Sequence, residues 1–239
     1  SASHASSFVV APYSNRIRDG RFVFEGESYQ LEHARRHAIH GDVRNRPVSV
    51  AERSAERVVL RFESEEFADV NFPFPFTLEA TYALEGSTLS SRLELTSCGG
   101  WSMPVGLGYH PYFPRSLVED EAVELQLATS GVYPWEGSLP LPTGPPGPLG
   151  PGQDFSTQAP LSASLDHCFA GWERAASITW PKRGVRLRLE ADEAFGHVII
   201  YAPEGEPFFA LEPVSNANDG FNLLAQGQEG SGVVVLEPD

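Results

Sequence analysis

Polar and apolar residues alternate along most of this chain with the two-residue period of a half-buried strand. In "RVVLRFES", Val58, Leu60 and Phe62 fall on one side and Arg57, Val59, Arg61 and Glu63 on the other, so the first three are expected to face a core. "FTLEATYALEGSTLSSRLELTS" reads as a hairpin. Phe76, Leu78, Ala80, Tyr82 and Leu84 line one strand, Leu89, Ser91, Leu93 and Leu95 line the return, and Glu85-Gly86-Ser87 turn between them. The pattern recurs in "RFVFEGESYQLE", turning at Glu25-Gly26, and in "SITWPKRGVRLRLEAD", turning from Pro181 to Gly184. "HVIIYAP", "PFFALEP" and "SGVVVLEP" add three short strands late in the chain. No helical stripe of ~10 residues or more interrupts the series. The expected architecture is all-β, a large antiparallel β-sandwich.

One stretch breaks the alternation. "EGSLPLPTGPPGPLGPGQDF", residues 136–155, is dense in Pro and Gly, yet strands of the same kind lie on both sides of it. It is expected to be a long surface loop inside one domain spanning residues 1–239, not a linker between two.

Composition narrows the partners. A hydrophobic content of 41% with 15 Phe is ample for a core. The net charge of −15 supplies none of the clustered Lys and Arg that nucleic acid requires, and is read as a source of solubility. No run of ~18 apolar residues is present, so no membrane span is expected. Cys98 and Cys168 are too few for a disulfide framework and are not spaced as a metal site, which points to a reducing, cytoplasmic compartment. The opening "SASHASSFVV" lacks the basic region and apolar core of a signal peptide.

Candidate chemistry gathers in five places. "PYSNRIRDG" with Arg16, "HAIHGD" with His37 and His40, "GYHPYF" with His110 and "LDHCF" with Asp166 and His167 are expected at strand ends or turns. The fifth is "FFALEPVSNANDGFN", where Glu212 follows the apolar run Phe208 to Leu211. An acid directly behind an apolar strand sits at the mouth of a core, where burial raises its pKa toward the range of a useful base. Pro111 restricts His110 to extended geometry, and Tyr112 and Phe113 are expected to wall it in. Singly, each residue has an ordinary reading: a structural His, a turn-forming Asp, a surface Arg, a strand-end Glu.

Taken in order, "NRI..G.F...G..Y.L", "HAIHG", "GYHPYF", "LPTG", "DF" ahead of "LDHCF", and then "LEP" resemble the aldose 1-epimerase (galactose mutarotase) family from about residue 11 to the end. The resemblance implies a galactose mutarotase-like β-sandwich whose concave face holds a free hexose such as galactose or glucose. It implies His110 as catalytic acid and Glu212 as catalytic base, with Arg16, His40 and Asp166 holding the ring oxygen and hydroxyls. His37, His167 and Asn15 match no catalytic position and are read as structural. Anomer interconversion by ring opening is proton transfer alone, so neither a metal nor a redox cofactor is expected. Family members carry further strands ahead of "NRI" and beyond the final "VVVLEPD", so some N-terminal strands are expected to be lacking.

Two competing readings remain. A glucose-6-phosphate 1-epimerase relative would need extra cations, which Arg35, Arg36, Arg44 and Arg46 could supply, although they are read here as surface charges. A non-catalytic carbohydrate-binding module would need neither His110 nor Glu212.

Overall fold

Antiparallel pairing joins nearly every strand of the molecule to its neighbours, as the alternating pattern requires. The computed structural model describes residues 7–32, 38–162 and 164–238. The chain opens with β1 (Val9–Val10) and the hairpin β2 (Arg21–Phe24) and β3 (Glu27–Gln30). It continues through β4 (Ser49–Arg53), β5 (Arg57–Glu63), β6 (Phe76–Glu85) and β7 (Thr88–Ser97). The short strands β8 (Met103–Val105), β9 (Gly108–Tyr109), β10 (Tyr112–Pro114), β11 (Glu124–Leu127) and β12 (Gly131–Val132) follow. Next come β13 (Phe155–Pro160), β14 (Leu165–Ala170), β15 (Ala175–Trp180), β16 (Val185–Glu190), β17 (His197–Ala202) and β18 (Phe208–Val214). A short helix, α1 (Gly220–Ala225), and β19 (Val234–Leu236) close the series.

The central sheet runs β1-β9-β18-β17-β14-β12, with β10 also paired to β18. A four-stranded sheet, β13-β11-β15-β16, shares a core with it. Phe169, Val198, Ile200, Phe209 and Leu211 from the central sheet meet Leu125, Ile178 and Trp180 there. A second four-stranded sheet, β4-β5-β6-β7, packs around an aromatic cluster of Phe22, Phe62, Phe72, Phe74, Phe76 and Phe221. The hairpin turns fall where expected. Glu25 and Gly26 both take positive φ, the two-residue turn that matches strand twist.

Two expectations need adjustment. On β5, Phe62 is buried but Val58 and Leu60 are only half-buried, while Val59 on the opposite side is buried. Phe62 pairs with buried Leu78 near the base of the hairpin, and cover thins along the strand toward Leu84, which is exposed. The Pro/Gly stretch forms no strand before β13 begins at Phe155, but it is tied down. Arg18 Nη2 donates to Pro142 O at 3.0 Å and Asn218 Nδ2 to Pro140 O at 2.7 Å, and Leu141 is buried.

Candidate active site

Alternation on three adjacent strands assembles the site. Ile199 pairs with Glu212 and with Cys168, so β14, β17 and β18 present these three in one row. Asp166, Tyr201 and Ala210 form the next row on the same face, continued by Tyr112 of β10. Val214 pairs with Gly108, which brings His110 level with Glu212, and His110 N donates to Phe8 O at 2.9 Å. The intervening residues His167, Ile200 and Leu211 point through the sheet to the other side, where Ile200 and Leu211 enter the core. Phe113 follows them and packs near Phe209. Of the two aromatics expected to wall His110, only Tyr112 does so, with ring centroids 4.6 Å apart.

Glu212 lies inside β18, the fifth of its 7 residues, and not behind the strand as expected, whereas Asp166 is the second residue of β14, at the strand end expected for it. Neighbouring strands pair past both residues, so the apolar run does not end where the acid begins.

His110 Nε2 and Glu212 Oε1 are 3.2 Å apart, in side chains only 6% and 2% exposed. Burial pushes the Glu212 carboxyl well up, with the Asp166 charge adding and the Arg16 charge opposing. Burial pulls the His110 imidazole down, and the positive Arg44 reinforces this. The two shifts favour a state in which the pair holds one proton between them. Asp166 is raised by burial against the pull of Arg16, and Arg16 is lowered by burial against the carboxylates of Asp166 and Glu212 and the phenol of Tyr201. His40 Nδ1 lies 2.8 Å from Ser14 O, and its ring meets His110 edge-on with centroids 5.1 Å apart. Burial, with His110 next, holds His40 well below the usual imidazole range.

The backbone explains "HG". His40 has φ 62, and a Cβ on Gly41, at φ 64, would lie 1.7 Å from Ala11 O. No other residue fits there.

All five expected residues converge on this face. His37 lies outside the described residues, as do Arg35 and Arg36. Arg46 is spent on Asp42, at 2.9 and 2.6 Å, and on Asp69 at 2.6 Å. Arg44 is not the surface charge expected. Its guanidinium lies 5.5 Å over the Phe8 ring, its buried Nε has no hydrogen-bond partner, and its charge reaches His40, His110 and Tyr112. Sequence reasoning also misses Tyr201 and Phe8, whose ring stacks on His110 with centroids 4.5 Å apart. The alternation of "HVIIYAP" puts Tyr201 on one face with His197 and Ile199, but gives no sign of which face.

Three buried polar atoms at the centre have no hydrogen-bond partner among the described residues: Arg16 Nε, His110 Nδ1 and Glu212 Oε2. Buried polar atoms are rarely left so, and a ligand dense in hydroxyls would satisfy them. Among the described residues no group of three or more His, Cys, Asp or Glu side chains is placed to hold a metal ion, and no helix is long and apolar enough to cross a membrane.

Residues 2–239 match the family model described as aldose 1-epimerase. The uncharacterized protein YphB of Escherichia coli K12 is 28% identical over 255 residues, covering 99% of this chain and 81% of that protein. The uncharacterized protein YihR of the same organism is 28% identical over 226 residues, covering 90% and 71%. Among solved structures, a candidate aldose 1-epimerase from E. coli K12 superposes with a TM-score of 0.85 at 28% identity, covering 99% of this chain and 80% of that one. A galactose mutarotase-like protein from Clostridium acetobutylicum gives 0.85 at 20% identity, covering 97% and 75%, and shares the fold.

Proposed function

The chain belongs to the aldose 1-epimerase family, and from that premise we propose that it acts as one domain interconverting the α and β anomers of a free hexose such as galactose or glucose. The observation that carries this reading is the buried contact of His110 Nε2 with Glu212 Oε1 at 3.2 Å, beside Arg16 and Asp166. An acid and a base buried together, sharing one proton, are what ring opening needs.

Glu212 removes the proton from the C1 hydroxyl while His110 protonates the ring oxygen. The C1 oxygen's freed electron pair forms the carbonyl, and the C1–ring oxygen bond breaks with its pair going to the ring oxygen. Rotation about C1–C2 presents the other face of the aldehyde. The two groups, now with the proton on Glu212 and none on His110 Nε2, run the step backwards. Each tautomer of the pair serves one half of the cycle, and no net proton is taken up. Burial favours protonated Glu212 beside neutral His110, the tautomer that matches the open-chain sugar. Glu212 Oε2, with no hydrogen-bond partner among the described residues, is the oxygen offered to the C1 hydroxyl. Arg16, His40 and Asp166 hold the remaining hydroxyls and the ring oxygen.

Polarimetry of freshly dissolved α-glucose and α-galactose tests this. Acceleration of the approach to anomeric equilibrium is expected. Sugar binding without acceleration would leave a carbohydrate-binding module instead. A second reading, an aldose bearing a phosphate, draws support from Arg44, whose charge reaches His110 and whose buried Nε lacks a hydrogen-bond partner. The same assay with 6-phosphates as substrates separates the two.

A further inference from the structure

The segment that follows β18, "SNAND" at residues 215–219, donates and accepts no proton in this scheme, yet it is buried throughout. Asn216 is 2% exposed. Its Oδ1 accepts from the Ser14 hydroxyl at 2.6 Å, and its own carbonyl lies 3.1 Å from the same hydroxyl. Its Nδ2 donates to Ala217 O at 3.0 Å, which settles which end of the amide faces Ser14. The fit is close: a Cβ on Gly106 would stand 1.8 Å from Asn216 Oδ1. Ser14, fully buried, is thus held by a residue 202 positions away.

Ser14 is also the residue whose backbone carbonyl faces His40 Nδ1 at 2.8 Å. A carbonyl oxygen only accepts, so Nδ1 must carry the ring hydrogen. In a neutral imidazole that leaves Nε2 with its lone pair exposed. Two residues beyond Ser14, the Arg16 carbonyl accepts from Asp219 N at 2.7 Å, and Asp219 Oδ1 accepts from Arg18 N at 2.9 Å. The segment therefore grips both flanks of the stretch that carries Arg16.

We infer that Asn216, acting through Ser14, is a positioning residue that holds His40 as its Nδ1–H tautomer, so that Nε2 accepts a hydrogen bond from a substrate hydroxyl. The inference rests on the proposed function for the nature of that substrate. Two buried hydrogen bonds in series, Asn216 to Ser14 and Ser14 to His40, transmit the constraint. Without the first, the Ser14 carbonyl loses its fixed direction and the ring is free to exchange tautomers.

The test uses ring nitrogen NMR of the full chain, with His40 identified among its 7 histidines by the resonance lost in His40→Gln. Wild type is expected to show a protonated Nδ1 and a bare Nε2 at His40. Ser14→Ala and Asn216→Ala should move those signals toward a tautomer mixture. Both should raise KM about three- to tenfold, the loss of one net hydrogen bond, with kcat changed less than about twofold. Should Asn216→Ala fail to fold, Ser14→Ala, which removes a single oxygen, decides. A Ser14→Ala protein that melts lower but keeps wild-type His40 signals has lost only structure, and overturns the inference. So does a wild-type spectrum with the proton on Nε2, or a changed spectrum with unchanged KM. The wild-type and variant spectra are read without turnover, so a protein inactive on every aldose would refute the proposed function and leave the tautomer claim to be judged on its own.

Discussion

The two faces of the central sheet are made by the same strands and behave as opposites. On one face Phe209 and Leu211 of β18, with Val198 and Ile200 of β17, pack into an apolar core against the four-stranded sheet. On the other face Glu212 and Tyr201 lie on those same two strands, beside Asp166 of β14. Leu211 and Glu212 are chain neighbours, fully or almost fully buried, and point in opposite directions. The first is stabilised by leaving water. The second is driven toward its neutral form by leaving water. The contrast teaches that packing on the apolar face supplies the rigid register, and the polar face gives up some of that stability to bury ionisable groups side by side.

Four substitutions sharpen or break the comparison, from the largest effect downward. Glu212→Gln keeps the shape but cannot take the C1 proton, so turnover should fall ~10²–10⁴-fold in the polarimetric assay. Leu211→Ala should cost ~2–5 kcal/mol of stability in urea titration. The fraction that remains folded should still accelerate anomerisation, because the opposite face is intact. Asp166→Ala should weaken substrate binding by ~1.5–3 kcal/mol, read in KM with kcat little changed, since it is assigned to a hydroxyl and not a reacting proton. Arg44→Gln removes a positive charge that depresses His110. The acid limb of the rate profile, where the pair takes up a second proton, should then move to higher pH by less than about one unit. A limb that stays put would mean Arg44 does not act on the pair.

The stability counterpart of Glu212→Gln has the opposite sign to Leu211→Ala. Glu212 titrates above its ordinary value in the folded chain, so the unfolded chain gives up its proton first as pH rises. That contribution is fully present below the ordinary glutamate range and is lost as pH climbs toward the raised folded value. The amide of the Glu212→Gln variant does not titrate and has no such loss. Differential scanning calorimetry at neutral pH should show the variant melting higher than wild type. The advantage should vanish near pH 4, where the unfolded chain also keeps the proton.

Much of this is legible in the sequence because alternation is a local signal. The hairpins at Glu25-Gly26, Gly86-Ser87 and Pro181 to Gly184 follow from turn residues between alternating runs. The motif-bearing residues Arg16, His40, His110, Asp166 and Glu212 stand out from short patterns, and they share one face. What escapes depends on which segments meet across the chain. Ser14 and Asn216 are two small polar residues until the fold sets them 2.6 Å apart. Arg44 looks like one of four similar arginines, and only the fold, which pairs Arg46 with Asp42 and Asp69 and sets Arg44 over Phe8, separates the two described members. The faces of β5 depart from the expected alternation because burial depends on position in the sheet as well as on parity.

The central claim is that His110 and Glu212 work as one proton-sharing unit. Measuring anomerisation rates for wild type, His110→Asn, Glu212→Gln and the double variant on one aldose tests it most directly. Members of a unit are non-additive, so the double variant should be no slower than the worse single by more than about threefold, with both singles down at least ~10²-fold. If the two losses multiply instead, or if either single variant keeps more than about a tenth of wild-type turnover, the pair does not share the reaction in this way.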